Sequence, residues 1–226
     1  MLKNNSRSTS MTRSALSFSV HSGAIGIFLL IGVMWLSGCA QTQPTRFHLL
    51  RPLASPLAVA PLTRTIRLAV GPVQVADYLR RPQLVAAEGR FGLRVGEFDQ
   101  WGGNLEQGVA SVLAENLSLL LGQDAIFLSP GEPAVSIGYR LVVEIRRFEP
   151  DGTGTFQAVI VWTLLPGDSS TPLKIRRMMA TEPLADGSFS TLVEAQSRAL
   201  ALLAHEVAET LVVFEHDQVT PSRGTQ

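Results

Sequence analysis

Two apolar alternations, Ile137 to Arg146 and Thr155 to Leu165, flank Asp151-Gly152-Thr153-Gly154 and restrict the fold more than any other feature of the chain. In the first, Ile137, Tyr139, Leu141, Val143 and Ile145 share one face while Arg140, Glu144 and Arg146 take the other, which is the two-residue period of a half-buried strand. The second repeats the pattern with Phe156, Ala158, Ile160, Trp162 and Leu164, and the run between them is turn chemistry. Together they predict a long antiparallel hairpin. Phe148 falls out of phase, predicting a bulge or the end of regular pairing. Val159 and Val161 add apolar surface to the opposite face, so their strand is expected to be central or covered on both sides.

The rest of the chain supplies elements for this hairpin to pack against. Leu173 to Thr181 predicts a third strand, carrying Lys174, Arg176 and Arg177. Upstream, Thr65 to Val70 alternates Ile66, Leu68 and Val70 and is closed by Gly71-Pro72. Leu84 to Ala87 and Phe91 to Val95 flank Glu88-Gly89-Arg90 as a shorter hairpin, and Phe47 to Leu50 fits a first short strand. From Leu105, the residues Val109, Val112, Leu113, Leu117, Leu120 and Leu121 recur at helical spacing up to Gly122, which stands where a C-terminal glycine belongs. Two starts fit this helix: Asn104 with Gln107 makes a capping-box pattern, and Asp99 can cap an earlier turn. Ala125 to Leu128 then closes a strand-helix-strand unit. A last helix spans Phe189 to Leu211, with Leu192, Val193, Ala199, Leu200, Leu203, Val207 and Leu211 as its stripe. The fold class is α/β: a single domain with a mixed sheet and two main helices, the strand-helix-strand unit being followed by antiparallel strands and the C-terminal helix.

The N-terminus carries an address. Lys3, Arg7 and Arg13 precede the apolar run Ala24 to Leu36, with no acidic residue before Cys39. As a helix that run is only about 20 Å long, short of the ~30 Å hydrocarbon core, so it suits a signal peptide better than a membrane span. Leu36-Ser37-Gly38-Cys39 resembles the lipobox of bacterial lipoproteins. The resemblance implies cleavage before Cys39, a diacylglycerol thioether and an N-acyl chain there (palmitate among the expected chains), and, since Ala40 stands where Asp often marks inner-membrane retention, sorting to the outer membrane. Expected segments are therefore a signal peptide over 1–38, a lipidated N-terminus with a short strand and proline-rich linker over 39–64, the α/β domain over 65–214 and a polar, frayed tail over 215–226. Without the leader about 188 residues remain, enough for one domain with a substantial core. Cys39 is the sole cysteine, so no disulfide is available and packing must stabilise the fold. All three leader charges are basic, so the formal zero of the whole chain becomes about −3 for the mature one, which disfavours nucleic acid as a partner.

Catalytic groups are sparse. The mature histidines are His48, His205 and His216, with no HExxH pair, no GxSxG elbow and no free thiol. His205 lacks a second metal ligand one turn on, and Gly152-x-Gly154 lacks the third glycine and following helix of a phosphate loop. Glu97 and Asp99 are close in sequence, as a carboxylate pair for glycoside hydrolysis would be, but acidic residues near a helix entrance serve more often as caps. Arg146, Lys174, Arg176 and Arg177, with Arg147 beside them, form a candidate basic face for lipid phosphate or a partner's acids, against the plainer reading of a solvated strand surface. No metal site and no cofactor beyond the acyl chains is expected.

Three strings complete the picture: Arg67 through Val85, which includes Asp77-Tyr78-Leu79-Arg80-Arg81-Pro82-Gln83; Phe98 to Trp101; and Val112 to Leu117. The chain resembles the ABC-type transport auxiliary lipoprotein family, PqiC-like and YmbA-like, whose pattern is matched at Tyr78, Leu79, Arg81, Pro82, Gln83 and Val85 and again at Trp101, Leu105, Leu113, Ala114, Asn116 and Leu117. Gly102-Gly103 departs from it, because helix formers are commoner there. The resemblance implies a noncatalytic periplasmic domain that works with an MCE-domain protein and ABC or integral membrane transport subunits in moving lipid between the two membranes. Tyr78, Arg81, Pro82, Gln83 and Trp101 are then candidates for partner binding, since Tyr, Trp and Arg are favoured at interface centres, unless Tyr78 and Trp101 pack the core and Arg81 pins a loop. Self-assembly into a homo-oligomer stays open. A lipid-carrying cleft between helices and sheet is the alternative, and an envelope hydrolase a more distant one.

Overall fold

A computed structural model describes residues 43–53, 62, 64–89, 91–129, 137–167 and 169–219. The leader and Cys39, most of the proline-rich linker, including Pro56 and Pro61, and the last seven residues lie outside them. Strands β1 (Arg46–His48), β2 (Leu68–Val75), β3 (Gln83–Glu88) and β4 (Gly92–Trp101) are followed by helix α1 (Leu105–Leu121) and strand β5 (Ile126–Leu128). Strands β6 (Tyr139–Pro150), β7 (Thr155–Pro166) and β8 (Lys174–Pro183) then lead into helix α2 (Phe189–Val219).

The strands form two sheets rather than the one expected. The larger has the order β5-β2-β6-β7-β8 and the smaller β1-β4-β3. In the larger, β2 runs parallel to both β5 and β6, and the β6–β7 and β7–β8 pairs are antiparallel, as the alternations predict. The ladder between β6 and β7 slips between Ile145 and Arg147, which is the bulge that the phase of Phe148 implies. Helix α1 lies over β2 and β5, and α2 crosses β6, β7 and β8. Leu141, Val143, Ile145, Ile160, Trp162 and Leu164 are fully buried on the helix side. Across the sheet, Val142, Val159 and Val161 are half-buried, so β7 is central in pairing but open to solvent on its second face.

Three expectations are corrected. Gly71-Pro72 does not end β2: the strand takes an irregular step there, with Gly71 at φ 123°, and pairing with β6 resumes at Val73. Close to Ser129 of the loop after β5, Gly71 has no room for a side chain, so its glycine serves both the backbone turn and the packing. The smaller hairpin extends further than its apolar run, because residues 96 to 99 of β4 stand opposite Leu84 alone and carry the strand to Trp101. Finally, α2 continues past Leu211 and Phe214 to Val219. Its Glu215 is 1% exposed and accepts hydrogen bonds from Arg64 and Tyr139, so a residue assigned to the polar tail belongs to the core, and Arg64 to the domain's edge.

Helix α1 starts at the later of its two candidate caps. The Asn104 side chain accepts a hydrogen bond from the Gln107 amide at 3.0 Å, while Gly122 adopts φ 59° and donates to the Ser118 carbonyl. The segment after β1 is fastened across both helices. The Leu53 amide donates to Asn116 Oδ1 of α1 at 3.2 Å, the Arg51 amide to Ser197 Oγ of α2 at 3.2 Å, and Leu50, just before them, is buried. Asn116, one of the residues matched by the family pattern, thus ties the chain that arrives from the N-terminus. None of the helices among the described residues is long and apolar enough to cross a membrane.

Candidate functional site

Trp101, the last residue of β4, is the centre of the site. It is 9% exposed, stands beside His48 of β1 in the parallel ladder and donates its amide to the Pro82 carbonyl at 2.7 Å. That bond brings the Tyr78-to-Gln83 string against the start of α1. A surface cleft of about 360 Å³ results, lined by Val75, Arg80, Arg81, Pro82, Trp101 and the first residues of α1. A smaller one of about 220 Å³ opens on the other side of Trp101, toward Leu49 and Gly102.

Of the five candidate residues Arg81, Pro82 and Trp101 line this cleft, while Tyr78 and Gln83 belong to the same string but do not reach it. Tyr78 lies in the 3-10 turn Asp77–Leu79 and donates to Glu149 Oε2 at 2.6 Å, with Arg147 Nε 3.6 Å from the same carboxylate group. Burial, reinforced by the bond to Glu149, pushes the Tyr78 phenol well above its ordinary value, so it stays protonated and serves as a structural donor. Tyr78 and Trp101 therefore hold the frame. Gln83 is half-buried opposite Gln100 in the β3–β4 ladder. Pro82 and Arg81 are exposed, and the Arg81 guanidinium has no partner among the described residues. Of the five, Arg81 and Pro82 are exposed at the cleft, and Arg81 carries the unpaired charge.

Two residues outside that set complete the cleft. Arg80 reaches Glu106 in the first turn of α1 and Asp77 in the 3-10 turn, each at 3.3 Å, and Glu106 also accepts the Val75 amide at 3.4 Å. The sequence offers little sign of this, because the partners come from three separate elements.

Asp99 ties β4 to β1. Arg46 binds its carboxylate through Nε at 3.0 Å and Nη2 at 2.8 Å, and His48 Nε2 stands 2.8 Å from Oδ1. Burial pushes the Asp99 carboxyl up, but the bonds from Arg46 and His48 outweigh it and hold it below the ordinary carboxylate range. The bulge of β4 leaves Glu97 exposed while Asp99 is buried. No group of three metal-ligating side chains occurs among the described residues.

The candidate basic face does not assemble either. Strand alternation turns Arg176 toward α2, where it meets Glu206 at 3.0 Å, and Arg177 toward the opposite surface, beside Val161. Arg146 is paired with Glu144 at 2.9 Å, and Lys174 lies opposite Leu164 at the start of β8. A row of basic residues in sequence becomes a set of separated, partly neutralised charges. The space between helices and sheet, where a carried lipid was the alternative, is filled by core side chains such as Trp162, Leu113 and Leu203.

The fold has solved relatives. A crystal structure of a Xanthomonas campestris protein of the DUF330 family is similar at a TM-score of 0.61 and 15% identity, over 78% of this chain and 98% of that one. A second crystal structure, of an uncharacterised protein, is similar at a TM-score of 0.60 and 16% identity, over 75% and 99% of the respective chains. These show a shared fold. No curated protein matches the chain significantly. By sequence, the family model of the ABC-type transport auxiliary lipoprotein component matches residues 48–208, a span from β1 through most of α2 that contains Tyr78, Arg81, Trp101 and Asn116. The chain belongs to the family of ABC-type transport auxiliary lipoprotein components.

Proposed function

We infer that this protein is an outer-membrane lipoprotein that faces the periplasm and serves, without catalysis, as an auxiliary subunit of an MCE-type, ABC-driven lipid transport system. The observation that carries this is the match of the transport-auxiliary family across nearly the whole domain, with Arg81 and Pro82 of the family's string and Trp101 meeting at one surface cleft. A free Arg81 beside the buried Trp101 has the make-up of a protein-docking point: a rigid aromatic anchor and an exposed planar cation. The acylated Cys39 would hold the domain at one end of the assembly while MCE-domain and integral membrane subunits engage this cleft.

Affinity capture of the full-length protein from detergent-solubilised envelopes tests the reading. The wild type should recover an MCE-domain subunit with its membrane partners, and Arg81→Glu should lose them with unchanged thermal melting. Capture of other envelope proteins but no transport subunit by the wild type overturns the functional reading. Undiminished capture by Arg81→Glu removes the cleft from it.

A further inference from the structure

The root of the domain exposes an apolar pair that its fold does not use. In β1, Arg46 and His48 turn toward Asp99, so Phe47 points away from them and is 66% exposed; Leu49, just after the strand, is 51% exposed. Leu49 rests on Gly102, where a Cβ would stand 2.8 Å from Leu49 Cδ2. Gly102 is where this chain departs from the family pattern, and the glycine makes room for Leu49 at the surface beside Trp101. Arg51, also exposed, follows closely.

The length of chain before β1 restricts what can cover this pair. Phe47 follows Cys39 by eight residues, so even a fully extended connection, at ~3.3 Å per residue, spans only about 26 Å. A domain of this size is about 40 Å across, on a radius of gyration of roughly 16 Å. Its N-terminal root therefore stays close to whatever surface holds the acyl chains. Two large apolar side chains and an arginine at that root match the boundary between acyl chains and phosphate headgroups, where removing each apolar side chain from water favours contact. The tether keeps the local concentration of membrane high, so a weak contact suffices.

We propose that Phe47 and Leu49, with Arg51 at their border, form a membrane-contact face that seats the domain on the phospholipid surface to which Cys39 is anchored. This deepens the functional reading and rests on its lipid anchor. The seated face orients the molecule, because contact at β1 fixes the direction in which the neighbouring Trp101 cleft is presented to a transport partner.

The test uses the mature acylated protein in vesicles of phosphatidylethanolamine and phosphatidylglycerol. With the Cys39 thiol acylated, a cysteine introduced by Phe47→Cys, Leu49→Cys or Met179→Cys is the sole free thiol for a spin label; Met179 of β8, 64% exposed, is the reference. Labels replacing Phe47 and Leu49 should collide several-fold less often with a water-soluble nickel chelate, and more often with dissolved oxygen, than the label replacing Met179. Equal accessibility at all three positions overturns the membrane-contact face while leaving the anchor intact. Shielding of Phe47 and Leu49 only after a transport subunit is added overturns it in favour of a protein partner. Failure of the acylated wild type to float with the vesicles overturns the anchor and this inference with it.

Discussion

Glu215 lies 151 positions from Arg64 and 76 from Tyr139, yet its carboxylate binds both. The Arg64 bond lowers its pKa, burial works against that, and the Tyr139 bond adds to the lowering, leaving the carboxyl below the ordinary range. A depressed carboxylate stabilises the fold above its unfolded value, about 4.3, and loses that contribution as pH falls through the lower folded value. Glu215→Gln should therefore cost about 1.5–3 kcal/mol near neutral pH, the range for hydrogen bonds to a charged group, and progressively less below pH ~4. Urea unfolding of both proteins across pH 3 to 7 checks this, and a difference independent of pH would remove the charge from the explanation. At this scale the sequence was least informative. Leu113 and Val207 announce their burial by spacing, but nothing local distinguishes Glu215 from the polar residues around it, and Asp99 is told from Glu97 only by a bulge.

Elements were legible wherever one face is apolar and the other polar. The β6–β7 hairpin, both helices, the Asn104 cap and the Gly122 terminus follow from patterns within a few residues, because alternation and helical spacing are local consequences of burial on one side. Element ends were less legible. Gly71-Pro72 has the chemistry of a strand stop, and pairing with β6 carries β2 through it. Gly71→Ala should destabilise the domain by roughly 2 kcal/mol or more, since the left-handed backbone and the Ser129 carbonyl both exclude a side chain. A melting temperature equal to that of the wild type would show that β2 can relax at this step. The division into two sheets was equally hidden, because the partner of β4 on its second edge is the three-residue β1, too short to declare a sheet.

For the molecule as a whole, the site depends on assembly. Arg81 and Pro82 were joined to Trp101 only by family resemblance until the Trp101-to-Pro82 bond and the first turn of α1 brought them to one cleft, which Tyr78 and Gln83 do not line. The segment fastened by Asn116 and Ser197 leads back to β1, so the start of the domain is tied to both helices. Cys39→Ser should leave an uncleaved, unacylated precursor and abolish function in the envelope, with the folded domain intact. Immunoblotting for a mobility shift with metabolic labelling by a palmitate analogue reads the outcome, and normal processing would sink the anchor assignment.

Fold class and most of the element types were already present in the linear chain, because amphipathic periods are each written within a few dozen residues. Contacts between distant segments required the folded molecule: the burial of Glu215 and Asp99, the dispersal of Arg146, Lys174, Arg176 and Arg177, and the exposure of Phe47 and Leu49 at the root. The physical reason is common to all of them. A side chain's burial and charge partners depend on which strands and helices become neighbours, and that is decided by the packing of the whole core.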